Sequence, residues 1–124
     1  MELQKSNMSI TIYHNPRCSK SRQTLQLLRD NGIEPEVVEY LKTPYTAAQI
    51  EELLDKLGIP DPRELMRKKE AIYKEAGLDD EYLSRSDLID AMAQCPSIVE
   101  RPIVVRGDRA VLGRPPENVL DLIK

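Results

Sequence analysis

Between Ile10 and Leu41 the pattern of apolar residues changes period twice, and few folds are open to a chain that does this. Ile10-Thr11-Ile12-Tyr13 is rich in β-branched and aromatic residues and stops at Asn15-Pro16, which reads as a strand. From Ser19 the spacing becomes helical: Leu25 and Leu28 share a face, Leu27 lies beside them, and Asn31-Gly32 is a C-terminal stop. Val37-Val38-Glu39-Tyr40-Leu41 is a second strand. The result is a β-α-β unit whose strands, if they share a sheet, run parallel through a right-handed crossover. Its first strand-to-helix junction, Tyr13-His14-Asn15-Pro16-Arg17-Cys18-Ser19-Lys20-Ser21-Arg22, carries a cysteine at the tip.

Residues 1–8 show no periodicity and read as a disordered leader, leaving 9–124 as a single domain; 124 residues suffice for one core and are too few for two. The middle of the chain is helical. Thr46 and Gln49 form a capping box before Ala47, Ile50, Leu53, Leu54 and Leu57, and this helix ends at Gly58 and Pro60. Asp61-Pro62-Arg63-Glu64 is another start signal, predicting a short helix that carries Leu65, Met66 and Arg67. Residues 71–76 either continue it or form a separate turn. Ser84 to Asp87 opens a helix that turns Leu88, Ile89 and Met92 inward and closes at Cys95-Pro96. Residues 103–106 and 109–112 flank Gly107-Asp108, a hairpin signal, and a last helix with Val119, Leu120 and Ile123 apolar follows Gly113-Arg114-Pro115-Pro116.

Composition narrows the function. A net charge of −3 provides no general field for nucleic acid, so any anion site must be a local cluster of arginines. No apolar run approaches the roughly 18–20 residues of a membrane span, and Met1 to Ser9 is polar and unlike a signal peptide, so no membrane association is expected and the cytoplasm is the expected location. Two cysteines make no disulfide framework, and one histidine with two distant cysteines makes no metal site. Cys95, before Pro96, reads as a packing group. Cys18 differs, with Arg17, Ser19 and Lys20 around it at a helix start. Unpaired N–H groups and the positive end of the helix dipole favour a thiolate there, and they also favour a bound anion.

The order β-α-β, helical insertion, β-β-α is similar to a thioredoxin-like α/β fold with a mixed sheet. In that fold a redox cysteine at the start of the first helix faces a cis-proline just before the third strand, and Pro102 occupies the matching place. Four further segments recur in order: Ile-Tyr-His-Asn-Pro-x-Cys, Leu-Met-Arg-Lys, Glu-Arg-Pro-Ile-Val-Val and Gly-Arg-Pro. With these, the chain resembles the glutathione- and glutaredoxin-coupled arsenate reductase (ArsC) family over nearly its whole length. The resemblance implies that Cys18 attacks the arsenic of bound arsenate and that His14 lies near the thiol and helps keep it ionised. Arg67, Arg101 and Arg114 would surround the oxyanion, and Asn15, Ser21 and Arg22 would complete the loop. It implies no tightly bound cofactor, glutathione as co-substrate, glutaredoxin as partner, and a monomer. At Ser19-Lys20, where the best-known members carry Gly-Thr, the chain looks like a related branch.

The chemistry of the residues agrees with these roles. A thiolate approaching an arsenate dianion is repelled, and guanidinium groups offset that repulsion with a permanent charge and a planar fork of donors. Three residues after Cys18, where a Cys-x-x-Cys oxidoreductase carries its resolving thiol, stands Ser21, so an outside thiol must finish the reaction. The Ser21 hydroxyl is expected to donate to the thiolate instead. Two other functions fit the same fold. One is an Spx-like regulator that binds RNA polymerase, against which the missing second cysteine and Gly-Arg-Pro both speak. The other is a glutathione-linked thiol oxidoreductase without arsenate activity, which needs no three-arginine site.

Overall fold

The computed structural model describes residues 9–123; the leader expected at residues 1–8 lies outside them. In chain order the elements are β1 (Ile10–His14), α1 (Ser19–Asp30), β2 (Glu36–Glu39), α2 (Ala47–Leu57), α3 (Ala71–Glu75), α4 (Arg85–Gln94), β3 (Ile103–Arg106), β4 (Arg109–Leu112) and α5 (Val119–Ile123). Single 3-10 turns occupy Pro62–Leu65, Pro96–Ile98 and Pro116–Asn118. Contacts divide the chain into two compact units: the part up to Thr43 together with the part from Arg101 onward, and Pro44–Glu100. Among the described residues no helix is long and apolar enough to cross a membrane.

The first unit is a four-stranded mixed sheet in the order β2-β1-β3-β4, the thioredoxin-like arrangement expected from the element order. β1 pairs parallel with β2, as a strand reached through a helical crossover must, and antiparallel with β3, which turns at Gly107 (φ 62°) into β4. Alternation along β1 buries Ile10, Ile12 and His14. Ile10 and Ile12 join Leu28, Val104, Val119 and Leu122 in one core cluster, flanked by Leu25, Leu27, Ile33, Val111 and Ile123. The apolar spacing puts Leu25 and Leu28 on the inner face of α1, but its fully buried stripe is Ser21, Thr24 and Leu28, three and four residues apart. β2 stops at Glu39, before the predicted Tyr40 and Leu41, because the Glu39 carbonyl accepts from the N–H groups of both Lys42 (2.9 Å) and Thr43 (3.0 Å) and turns the chain.

In the second unit the predicted Thr46–Gln49 capping box forms, and Ser84 with Asp87 forms another: the Thr46 and Ser84 hydroxyls accept from the N–H groups of Gln49 and Asp87, whose side chains reach back. Gly58 ends α2 in the left-handed region (φ 72°). Ile50, Leu53 and Leu54 of α2 and Leu88, Ile89 and Met92 of α4 are buried where these helices pack. The short helix predicted to carry Leu65, Met66 and Arg67 is only the turn Pro62–Leu65. Met66 is extended and bridges Val99, while the Arg67 N–H donates to the Ile98 carbonyl (2.7 Å) and the Glu100 N–H to that of Leu65 (2.8 Å). These long-range partners satisfy the backbone groups that a helix would have used. Residues 71–75 form a separate short helix.

Candidate active site

The thiol loop grows out of the register of β1. His14 is the last inward residue of the strand, and Ser21 is the first of the buried stripe of α1, so the two meet. His14 Nδ1 lies 2.6 Å from Ser21 Oγ, which also accepts from the Asn15 N–H at 3.0 Å. The Asn15 side chain accepts from the Arg17 N–H (2.9 Å), and Arg22 Nη1 donates to the Pro16 carbonyl (2.9 Å). Asn15 and Arg22, expected at the oxyanion, are thus engaged with the loop backbone. The Cys18 N–H donates to the Asn15 carbonyl (3.0 Å), closing the turn.

Cys18 stands at the N-cap of α1 with extended backbone (φ −93°, ψ 123°) and makes no side-chain capping bond of ordinary geometry. It is only 9% exposed, as a packing cysteine would be, but its surroundings are polar. Burial is the largest influence on the thiol and pushes its pKa up. It is outweighed by the Ser21 N–H, the hydrogen bond and charge of Arg101, and the Lys20 N–H, which leave Cys18 below the ordinary thiol value. The dipole argument from the helix start therefore takes a concrete form in two backbone N–H groups and one guanidinium. Ser21 acts through its backbone; its hydroxyl, expected on the sulfur, is turned to His14 and Asn15.

His14 is buried and engaged by the Ser21 hydroxyl. Burial, the largest influence, lowers its pKa; Glu39 opposes this, while Arg29 and Arg22 add to it. The ring is neutral at neutral pH and brings no positive charge to the thiol. It anchors Ser21, and so the first turn of α1.

Arg101 and Pro102 enter from the strand side across a cis peptide bond. Arg101 Nε is buried and has no hydrogen-bond partner. Arg114, also before a cis-proline, sends Nη1 to the Arg101 carbonyl at 3.4 Å. The structure therefore brings Cys18, Arg101 and Arg114 together within the first unit. Arg67 belongs to the second unit, where its guanidinium pairs with Glu70 at 3.2 Å.

Two residues that sequence reasoning missed hold this arrangement. Thr24, fully buried, places its hydroxyl 2.7 Å from the Lys20 carbonyl and 3.2 Å from that of Gly113. A Cβ on Gly113 would lie 2.5 Å from Thr24 Oγ1 and 2.9 Å from Pro102 Cγ, so only glycine allows this approach. The Gly113 N–H donates to the Pro102 carbonyl at 2.9 Å. Counting back from Leu28 by four residues would have found Thr24. Cys95, at the end of α4, lies 3.4 Å from the Ser97 hydroxyl. No group of three His, Cys, Asp or Glu residues able to hold a metal occurs among the described residues.

A buried, activated thiol at the first helix of a mixed four-stranded sheet, served by an arginine whose cis peptide bond to Pro102 precedes β3, defines a thioredoxin-like protein of single-cysteine type. The family model of the ArsC family matches residues 13–122. The uncharacterized protein YfgD of Escherichia coli K12 is 57% identical over 114 residues, 92% of this chain and 96% of that one. An arsenate reductase of Haemophilus influenzae is 47% identical over 116 residues, 94% of this chain and all of its own length. The solved structure of an arsenate reductase from Vibrio cholerae, 50% identical, covers 92% of this chain and 97% of its own, with a TM-score of 0.90. The chain belongs to the ArsC family.

Proposed function

We propose that this protein is an arsenate reductase in which the Cys18 thiolate attacks arsenate and forms a covalent arsenic adduct. The observation that carries this reading is the chemistry at one sulfur: a thiol held below its ordinary pKa by two helix N–H groups and by Arg101, with Arg114 against the Arg101 backbone. The buried and unused Nε of Arg101 is a further donor for an oxyanion. The arsenate reductases of Haemophilus influenzae and Vibrio cholerae, alike over more than nine-tenths of the chain, support the substrate.

In the adduct step the sulfur–arsenic bond forms as an arsenic–oxygen bond breaks, and that oxygen leaves as water after protonation. Reduction to arsenite adds two electrons to arsenic. With Ser21 where a resolving thiol would stand, both come from outside: glutathione and a glutaredoxin thiol become one mixed disulfide. The protein works as a monomer in the cytoplasm in this reading.

The test is arsenate-dependent NADPH oxidation in the presence of glutathione, glutaredoxin and glutathione reductase. Wild type should turn over and Cys18→Ser should not. Arg101→Ala should lower kcat/KM by about a hundredfold, the scale of losing one donor to developing charge. Arsenate should also slow alkylation of Cys18, since a bound oxyanion covers the sulfur. Wild type without arsenate turnover, or an active Cys18→Ser, would overturn the reading.

A further inference from the structure

Beside the thiol loop lies a cavity of about 280 Å³, lined by His14, Asn15, Pro16, Arg17, Glu39, Leu41 and Lys42. All of its walls belong to the first unit. We propose that this cavity seats the reducing thiol, a tripeptide with the charge pattern of glutathione, with Arg17 and Lys42 taking its two carboxylates and Glu39 its ammonium. The proposal rests on the thiol-dependent reading above, and it adds where and by which side chains the co-substrate is held.

Three observations lead to it. The cavity walls carry two cations and one carboxylate, the inverse of a ligand with two carboxylates and one ammonium. Lys42 and Glu39 pair with each other at 3.3 Å, but the Lys42 side chain is 79% exposed, so exchanging this pair for ligand contacts costs little. Leu41, 47% exposed, and Pro16 offer apolar surface for the methylene chain of a γ-glutamyl group. The volume is below that of most drug-sized sites, so it holds part of the tripeptide and leaves the rest on the surface. Arg17 directly precedes Cys18, and consecutive Cα atoms are about 3.8 Å apart, so a ligand against Arg17 is within a tripeptide's reach of the sulfur.

The chain supplies its own reporter. His14 is its single histidine and is among the residues that line the cavity, with Nδ1 engaged by Ser21. S-methylglutathione has the charges of glutathione and no free thiol, so it binds without reacting. Added to the full-length protein, it should shift the His14 ring signals saturably in NMR spectra. Sodium chloride at equal ionic strength should not, and the Arg17→Ala/Lys42→Ala variant should lose the shift. In the coupled assay that variant should raise KM for glutathione about threefold or more, as expected for two exposed charge contacts. Its KM for arsenate and the pH profile of Cys18 alkylation should stay as in wild type. A saturable shift that the variant retains, no shift at all, or an arsenate KM that rises as much as the glutathione KM would each overturn the proposal. If wild type fails to turn over arsenate, the proposed function falls, while the NMR titration still decides the cavity.

Discussion

Sulfur at position 18 is governed by its neighbours. Its backbone donors come from α1, and its guanidinium comes from Arg101, more than eighty residues on. The helix-start pattern made the donors legible in the sequence, whereas Arg101 stood out only by preceding a proline at the edge of a predicted strand and by the family resemblance, and neither says that its guanidinium reaches the sulfur. Removing Arg101 takes away both a hydrogen bond and a charge that favour the thiolate. Arg101→Ala should therefore move the midpoint of Cys18 alkylation with iodoacetamide to higher pH. Arg101→Lys should move it less, since the charge is kept and only the fork is lost. His14 was legible as a neighbour of the thiol but not as the partner of Ser21. That pairing arises from the last inward position of β1 and the first of α1, a register that requires both elements to be in place.

At the level of elements, capping boxes are legible in sequence because every partner lies within three residues. Thr46→Ala or Ser84→Ala should each cost about 1 kcal/mol, measured as a shift in urea midpoint, by leaving helix N–H groups without their caps. The segment after Asp61 shows the opposite case. Its N-cap, proline and acid are real start signals and do form one turn, yet Leu65, Met66 and Arg67 leave it for the backbone of residues 98–100. Start signals describe the first turn, and the path of the chain beyond it depends on which distant segment offers partners. The junction of Gly113 with Thr24 and Pro102 is also an encounter between elements. Gly113→Ala should overpack it and cost about 1–3 kcal/mol, again read from the urea midpoint. Because Arg114 is next in the chain, the same variant should weaken arsenate protection of Cys18 against alkylation.

For the molecule as a whole, the buried neutral His14 links stability to pH. Its folded pKa lies below the unfolded value of about 6.5, so the unfolded chain takes up the proton first. The contribution is complete above about pH 6.5 and is lost as pH falls toward and through the folded pKa. The urea midpoint should therefore decline with acidification in that window, and His14→Asn, which cannot titrate, should decline less. A midpoint that falls equally in both proteins would show that other groups carry the effect.

The sequence by itself determined the order of elements, the mixed sheet that this order requires, the position of the thiol at a helix start and the absence of a second thiol three residues on. All of these are local or result from chain connectivity. Only the tertiary structure decided which groups surround the sulfur: that Ser21 serves it by its backbone, that His14 stays neutral and holds Ser21, and that Thr24 and Gly113 bring the Arg114 loop against α1. These outcomes depend on distances between residues far apart in the chain, and the burial and charge that set a pKa exist only once those residues have met.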